Sequence, residues 1–335
     1  MMKSIRICYT LHLSSCCFVG CFHSPQSHSY LCSWGFVHLP PRCNSKSIGY
    51  IVLAGFRLYF GNLMSYQCPL CHQSLLLTRQ QWRCENNHQF DCAKEGYVNL
   101  MPVQYKRSKE PGDSPEMMQS RRAFLDAGYY QPLQQRVSEL LEKYLPENAE
   151  SLLDIGCGEG YYTASLEAQL SKRRNLKIYG LDVAKIAVRY GAKRYPAVSF
   201  CVASSHRLPF ADKSLSGILR IYAPCKAEEL ARVVKSQGIV LTVTPGPRHL
   251  YQLKELIYQD IHLHPLKTEQ LAGFELITDE SLSYLMKLDG VQAYHLLQMT
   301  PFAWRATESV KKGLVDRALF ECETDFILRV YQRLK

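Results

Sequence analysis

The segment 152–161 places the strongest constraint on how this chain can fold. An apolar run ends at Asp154, and Gly156, Gly158 and Gly160 then alternate into an apolar helical pattern. This order predicts a buried strand, a turn whose backbone closely approaches a ligand, and the N-terminus of a helix. The spacing Asp-x-Gly-x-Gly-x-Gly differs from the Gly-x-Gly-x-x-Gly of dinucleotide-binding folds. It therefore favours a ligand with an ammonium group and a ribose over a ligand with a pyrophosphate.

A second carboxylate, Asp182, directly follows the apolar run 177–181. A carboxylate at the end of a second parallel strand can accept hydrogen bonds from ribose hydroxyls. The two acidic strand ends together predict S-adenosylmethionine as the cofactor and methyl transfer as the chemistry. The alternative is a glycine turn that serves only tight packing, and the position of Asp182 makes that alternative less favoured.

Strand and helix patterns alternate after this turn, which predicts a Rossmann-like α/β fold with a doubly wound sheet. The predicted strands are 152–155, 178–181, 198–202, 217–222 and 238–244, with 320–331 as a closing antiparallel strand. The predicted helices are 115–126, a second one carrying Val137 and Leu141, one from Tyr161, 184–194 and 226–235. The ligand of such a sheet lies at the carboxyl ends of its strands.

Further strand-end segments are expected around the cofactor. Residues 203–206 are expected near its adenine, and residues 221–225 where its methyl group meets the target base. Within the second segment, Tyr222 is a hypothetical holder of the base. The Cys225 thiol is expected to be buried and not nucleophilic.

Nearer the N-terminus, four metal-binding side chains have the spacing Cys-x2-Cys-x12-Cys-x3-His. Three thiolates and one imidazole form a closed tetrahedral zinc site, which predicts a structural role because catalytic zinc keeps an open position. The predicted ligands are Cys68, Cys71, Cys84 and His88. His72 and Cys92 lie close enough in sequence to be rival ligands.

Cationic and aromatic side chains are interleaved behind the predicted zinc site. Cations contact phosphates and aromatic faces stack on unpaired bases, so this combination favours binding of single-stranded or looped RNA. The alternative is a solvated linker. The residues are Lys94, Lys106, Arg107, Lys109, Arg121 and Arg122, with Phe90, Tyr97, Tyr105 and Phe124.

Composition indicates a globular protein and argues against a secreted disulfide framework, because the 14 cysteines are neither evenly spaced nor confined to a short chain. The formal net charge is +10. Residues 1–63 contain no acidic residue, show no sustained period, and have no apolar run long enough to span a membrane. We expect this extension to be disordered or absent from the true product, with Met64 as the start.

Several segments together resemble the RlmA family, the 23S rRNA guanine-N1 methyltransferases. They are the zinc quartet, residues 90–100, residues 121–125, the glycine turn and residues 244–250. The resemblance implies a class I S-adenosylmethionine-dependent methyltransferase preceded by a zinc-ribbon-like domain. It also implies 23S ribosomal RNA as the partner and guanine-745 in a hairpin loop as the target. The cysteine distribution favours a reducing cytosol, and hence a cytoplasmic location, and a homodimer is possible.

The resemblance also assigns residues and domains. Tyr130, Gly158, Glu159 and His249 match cofactor contacts of the family. The expected domains are a zinc-binding RNA-recognition domain at 64–100, a basic linker with helices at 101–145, and the methyltransferase domain at 146–335. The chain departs from the family at Cys92 and at residues 235–238. No catalytic base is identified, and the alternatives are a small-molecule methyltransferase or a non-catalytic RNA-binding zinc protein.

Overall fold

The computed structural model describes residues 66–105, 112, 114–171, 175–266 and 269–335, and the backbone of strands β1 (Val52–Leu53) and β2 (Phe56–Arg57). The chain divides into the units Met1–Leu63 and Met64–Lys335. In the first unit, β1 and β2 pair in antiparallel fashion. The other residues of the 1–63 extension lie outside the described residues, and so does the expectation that the extension is disordered or untranslated. So do the predictions for Lys106, Arg107, Lys109 and the side chain of Tyr105.

An eight-stranded sheet forms the centre of the second unit. Its strands are β6 (Val98–Asn99), β7 (Ser151–Ile155), β8 (Lys177–Asp182), β9 (Ser199–Val202), β10 (Leu215–Ile221), β11 (Val234–Pro245), β12 (Phe274–Leu288) and β13 (Phe320–Arg333). They lie in the order β12-β13-β11-β10-β7-β8-β9-β6, and only the pairs made by β13 are antiparallel. This order confirms the predicted class I methyltransferase fold with its closing antiparallel strand. The strand order reverses between β7 and β10, and doubly wound sheets bind their ligands at such a point.

Helices cover both faces of this sheet. They are α1 (Pro115–Asp126), α2 (Gln131–Tyr144), α3 (Tyr161–Leu166), α4 (Lys185–Arg194), α5 (Ala227–Val233), α6 (Tyr251–Glu255), α7 (Gly290–Gln298) and α8 (Glu308–Val315). A π-helical turn, Glu167–Ser171, extends α3, and 3-10 turns span Val103–Tyr105 and Pro301–Trp304. Across the described part of the chain, every helix is too short or too polar to cross a membrane.

Several predicted boundaries differ from the structure by one to four residues, and one long strand was not predicted. The helix expected over 226–235 ends at Val233, because Val234 already pairs with Leu215 as the first residue of β11. The strand expected to reach residue 222 ends at Ile221. The unpredicted strand is β12, although Leu282, Tyr284, Met286 and Leu288 place an apolar side chain at every second position, which is the ordinary signal of a half-buried strand.

Close packing holds the glycine turn against the sheet. A Cβ atom on Gly160 or on Gly180 of β8 would lie 2.7 Å from the ring of Phe200, which is fully buried. All five residues of β7 are buried as well. The turn after β7 is therefore anchored on the rigid centre of the molecule, so its backbone is well placed to present a ligand site.

A small three-stranded antiparallel sheet precedes the main sheet, formed by β3 (Leu76–Thr78), β4 (Gln81–Arg83) and β5 (Gln89–Asp91). The Tyr66 ring joins it to the main domain, with ring centres 5.0 Å from Trp82 and 5.7 Å from Tyr179. Strand β6, which follows it, pairs with β9 at the edge of the main sheet. The domain limits 64–100, 101–145 and 146–335 stay predictions.

Candidate metal centre and cofactor cavity

Four predicted metal ligands converge at the base of the small sheet. One ligand atom from each of Cys68, Cys71, Cys84 and His88 lies within 4.8 Å of the others. Tight turns build the two halves, since the His72 N–H donates to the Cys68 carbonyl at 2.9 Å and the Asn87 N–H donates to the Cys84 carbonyl at 3.0 Å.

The spacing of these ligand atoms fits zinc. The Cys71 and Cys84 sulfurs are 3.6 Å apart, and the Cys84 sulfur is 3.4 Å from His88 Nδ1. Tetrahedral zinc with its usual bond lengths holds sulfur and nitrogen ligands about 3.6–3.8 Å apart. Of the two rivals, His72 is exposed, and neither His72 nor Cys92 belongs to the cluster within the described residues. The donor set is closed, which suits a structural metal.

A cavity of about 1250 Å³ opens at the carboxyl ends of the central strands. All seven predicted cofactor-binding residues line it: Tyr130, Asp154, Gly156, Gly158, Glu159, Asp182 and His249. The segments 203–206 and 221–224 line it too. The cavity is larger than the roughly 300–1,000 Å³ of ordinary small-molecule sites, so it has room for a cofactor and part of a second substrate.

The glycine turn adopts a backbone that other residues reach only with strain. Gly156, Gly158 and Gly160 have φ angles of +73°, +55° and +84°. A Cβ on Gly156 would lie 2.6 Å from the Cβ of Ala223, whereas a Cβ on Gly158 would meet no atom within 4 Å. Gly156 is therefore needed for packing against the segment after β10, and Gly158 leaves the floor of the cavity open.

Two backbone N–H groups orient the Asp182 carboxylate at the end of β8. Oδ2 accepts from Gly158 N–H at 2.9 Å, and Oδ1 accepts from Ala184 N–H at 2.8 Å. Each oxygen keeps a lone pair for a further donor. The carboxylate is thus tied to the glycine turn on one side and to the start of α4 on the other, with acceptor capacity left for ribose hydroxyls.

The Asp154 carboxyl is buried beneath the same turn. Its Oδ2 accepts a 2.6 Å hydrogen bond from the Thr163 hydroxyl of α3. Burial raises its pKa to about 7, the charge of Asp182 adds to the rise, and the Thr163 hydrogen bond opposes it. A cation bound nearby would favour the ionised carboxylate.

His249 lies on the opposite wall, in the loop between β11 and α6. Its Nδ1 accepts the Asp325 N–H at 3.3 Å, and its Nε2 is 3.4 Å from the Tyr222 hydroxyl. Burial lowers the pKa of His249 to about 3, with smaller effects of Lys254 and His264. The ring is therefore neutral at physiological pH. It also contacts Phe326, which together with the Tyr130 ring encloses this wall.

The Glu159 carboxylate binds Arg122, a residue that the sequence predicted to bind RNA. Arg122 of α1 binds both Glu159 oxygens, with Nε at 2.6 Å and an Nη at 2.7 Å, and its guanidinium covers the Tyr190 ring at 4.7 Å. Arg122 is therefore engaged in the wall of the cavity instead of lying free for phosphates. The hydrogen bond from Thr163 to Asp154 was also not anticipated, because neither this pair nor the Arg122–Glu159 pair has a fixed sequence spacing.

The expected aromatic stacking surface needs a correction. Tyr97 and Phe124 are buried, at 4% and 0% exposure, because both pack into hydrophobic cores and offer no face to RNA. Lys94 is exposed as expected. A far more exposed aromatic side chain is Trp304, at 77%, which follows the cavity-lining residue Phe302.

Cys225 is only partly buried, whereas it was expected to be buried, but its thiol behaves as expected for a non-nucleophilic cysteine. It donates to the Ser205 carbonyl at 3.0 Å, and burial raises its pKa to about 12. Reactive cysteines instead have a lowered pKa. Nothing at this strand end therefore points to covalent catalysis by Cys225.

Comparison with known proteins matches both parts of this unit. Residues 66–109 match the zinc-ribbon family model described as RlmA, N-terminal, and residues 152–241 match a methyltransferase domain model. A 23S rRNA (guanine(748)-N(1))-methyltransferase of Streptomyces fradiae is 32% identical over 250 residues, which is 72% of this chain and 87% of that protein.

Two further relatives extend this comparison. A putative 23S rRNA (guanine-N(1)-)-methyltransferase of Bacillus subtilis is 29% identical, again over 72% of this chain and 87% of the relative. A malonyl-[acyl-carrier protein] O-methyltransferase of Halorhodospira halophila is 31% identical, but over only 36% of this chain and 45% of the relative. The likeness to the rRNA enzymes thus covers twice as much of the chain.

Proposed function

Because the chain belongs to the family of 23S rRNA (guanine-N1)-methyltransferases, we propose that it transfers the methyl group of S-adenosylmethionine to N1 of a guanine in 23S rRNA. The observation that carries this proposal is the convergence of all seven predicted cofactor residues on one cavity beside a Cys3His cluster. The small-molecule alternative gives the zinc-ribbon segment no role.

The two carboxylates suit opposite ends of the cofactor. Asp182 would accept hydrogen bonds from the ribose hydroxyls, since two backbone N–H groups already fix its orientation. Asp154 would face the ammonium group of the methionine part, whose charge compensates for the burial of the carboxylate. Gly158 would let the cofactor lie against the backbone of the turn, since no atom lies within 4 Å of the position that its Cβ would take.

When bound, the cofactor supplies a sulfonium methyl group as the electrophile. The protein then has to bring guanine N1 into line and keep water out. The segment 221–224 follows β10 and lines the cavity, so it is the natural place for the base. Extruding a base from a hairpin loop costs only a few kcal/mol, which base-holding contacts can offset.

The Cys3His cluster would hold one structural zinc ion, with Cys68, Cys71, Cys84 and His88 as its four ligands. A closed site of this kind stabilises a small lobe that has little hydrophobic core of its own. Arg79, Arg83 and Lys94 are exposed on this lobe and would contact RNA phosphates. The cytoplasmic location and the homodimer remain predictions.

Two guanines are candidates for the target. Guanine-745 is the expectation from the sequence resemblance, whereas the Streptomyces fradiae relative is named for guanine 748. The two positions are close together, so one RNA substrate contains both. A positional assay therefore decides between them.

The test is to incubate the purified full chain with S-adenosylmethionine and unmodified 23S rRNA, both as naked RNA and as immature large-subunit particles. Nucleoside mass spectrometry should detect 1-methylguanosine, and primer extension should stop at position 745 or 748. The exposed Asp260 lies outside the cavity lining, so Asp260→Asn is the matched active control. Absence of 1-methylguanosine from both RNA substrates would contradict the proposal.

A further inference from the structure

Two strained residues lie together on one wall of the cavity. Tyr222 and Leu250 have φ angles of +53° and +56°, in the left-handed region that bulky residues rarely adopt. Of the eight non-glycine residues with positive φ in the described part of the chain, only these two line the cavity. Such strain costs on the order of 1–3 kcal/mol and persists where the surrounding structure enforces it, most often at functional sites.

The strained backbone brings the Tyr222 hydroxyl to His249. Tyr222 directly follows β10, its N–H donates to the Val243 carbonyl at 3.1 Å, and 46% of its surface remains exposed. Its oxygen is 3.4 Å from His249 Nε2. On the other side, Leu250 N–H donates to the Glu323 carbonyl at 2.9 Å, which fixes the loop that carries His249.

The other hydrogen bond of His249 determines whether His249 or Tyr222 is the donor in the contact between them. Nδ1 accepts the Asp325 N–H, so it carries no proton, and the neutral ring must carry its proton on Nε2. Nε2–H therefore donates to the Tyr222 oxygen. The hydroxyl proton of Tyr222 is then directed away from His249, and Tyr222 is a partly exposed residue of the cavity lining.

Guanine has one acceptor next to its reacting atom. When N1 is methylated, the N1–H bond breaks and its proton passes to solvent. The N1–methyl bond forms while the sulfur–methyl bond breaks, which leaves a neutral thioether. As the N1 proton leaves, negative charge spreads from N1 to O6, so a fixed hydrogen-bond donor at O6 stabilises the transition state.

From this geometry we propose that Tyr222 donates its hydroxyl proton in a hydrogen bond to guanine O6, and that His249 is the positioning residue that holds the Tyr222 hydroxyl for this role. The inference rests on the proposed function and names one contact within it. It also gives His249 a role through Tyr222 in addition to its predicted place in the cofactor site.

The test combines a protein variant with an altered RNA. Single-turnover methylation is measured for wild type and Tyr222→Phe on RNA with guanine or 6-thioguanine at the target position, because sulfur is a weaker acceptor than oxygen. We expect Tyr222→Phe to slow the guanine reaction by about 100- to 1000-fold, the range for loss of one transition-state donor. Sulfur should slow the wild-type reaction at least fivefold more than it slows the variant.

Controls separate a lost contact from a damaged site. Tyr222→Phe should bind S-adenosylmethionine as tightly as wild type, and Tyr294→Phe, outside the cavity lining, should react at the wild-type rate. With S-adenosylmethionine saturating for every variant, so that any weaker cofactor binding has no effect on the rate, His249→Leu should slow methylation, and the double variant with Tyr222→Phe should be no slower than Tyr222→Phe alone. His249→Gln, whose amide can donate, should recover part of the rate.

Equal slowing by sulfur in wild type and Tyr222→Phe would overturn the inference, and so would independent, multiplicative effects of Tyr222→Phe and His249→Leu. Failure of the wild-type protein to methylate any guanine is a different result, because it would overturn the proposed function itself. The two failures are therefore distinguishable.

Discussion

The candidate metal centre and the cofactor cavity are built in opposite ways. The four metal ligands all come from residues 68–88, within one small sheet and its turns. The cavity collects side chains from Tyr130 to His249 and beyond, at the ends of several strands. A metal can organise a short segment by itself, whereas a cavity of this kind exists only once the whole sheet has formed.

The two regions therefore differ in what a substitution removes. The lobe around the metal has few fully buried residues, so its stability depends on the ion. The cavity is built on a large buried core that provides its stability, so the polar residues of the cavity can bind a ligand without being needed for folding. Substitutions in the first region should affect folding, and substitutions in the second should affect affinity.

The largest effect is expected at the metal centre. Cys84→Ser replaces a buried ligand and should abolish stoichiometric zinc binding, because bound structural zinc contributes about 10–16 kcal/mol to folding in isolated zinc-finger peptides. Metal analysis and thermal unfolding of the purified chain measure the effect. Cys92→Ser is the matched control and should retain one zinc ion per chain. A Cys84→Ser variant that keeps its zinc would show that the cluster is not the metal site.

A smaller but specific effect is expected at the end of β8. Asp182→Asn keeps the shape of the side chain but loses one charged acceptor, so S-adenosylmethionine should bind about 10- to 100-fold more weakly, as expected for hydrogen bonds to a charged group of 1.5–3 kcal/mol. Calorimetry measures the affinity, and Asp260→Asn serves as the control. If Asp182→Asn lowered the unfolding temperature and left the affinity for S-adenosylmethionine unchanged, Asp182 would serve folding instead of binding. That result would contradict the contrast between the two regions.

The affinity should also depend on pH through Asp154. Burial raises the pKa of this carboxyl to about 7 in the free protein. The ammonium group of the cofactor favours the ionised form, so binding must be accompanied by proton release below that pKa. The dissociation constant should therefore rise by up to about tenfold for each pH unit below 7. Asp154→Asn should bind weakly with no such slope, and a sloping Asp154→Asn profile would contradict this assignment.

The smallest effect is expected at Arg122. Arg122→Lys cannot hold both Glu159 oxygens at once, because lysine lacks the planar fork of the guanidinium. The pair is partly exposed, at 38% for Arg122, so its loss should weaken cofactor binding only about 2- to 5-fold. Calorimetry under the same conditions measures it. A loss greater than that of Asp182→Asn would mean that α1, rather than the strand ends, dominates the site.

The contrast also explains how far the sequence could predict the site. The metal ligands and the glycine turn are local patterns, and the position of Asp182 follows from the strand order. The Arg122–Glu159 and Tyr222–His249 contacts join residues 37 and 27 positions apart through loop geometry, which no periodicity encodes. The burial of Phe124 likewise depends on packing against Tyr129 and Tyr130, so its aromatic character alone gave the wrong interpretation.

The most direct measurement is titration calorimetry of S-adenosylmethionine into the zinc-containing full chain. If the cavity at the strand ends is the cofactor site, the chain should bind one equivalent, and S-adenosylhomocysteine should compete for it. A wild-type protein that is folded and holds its zinc, yet takes up neither compound, would contradict the central claim.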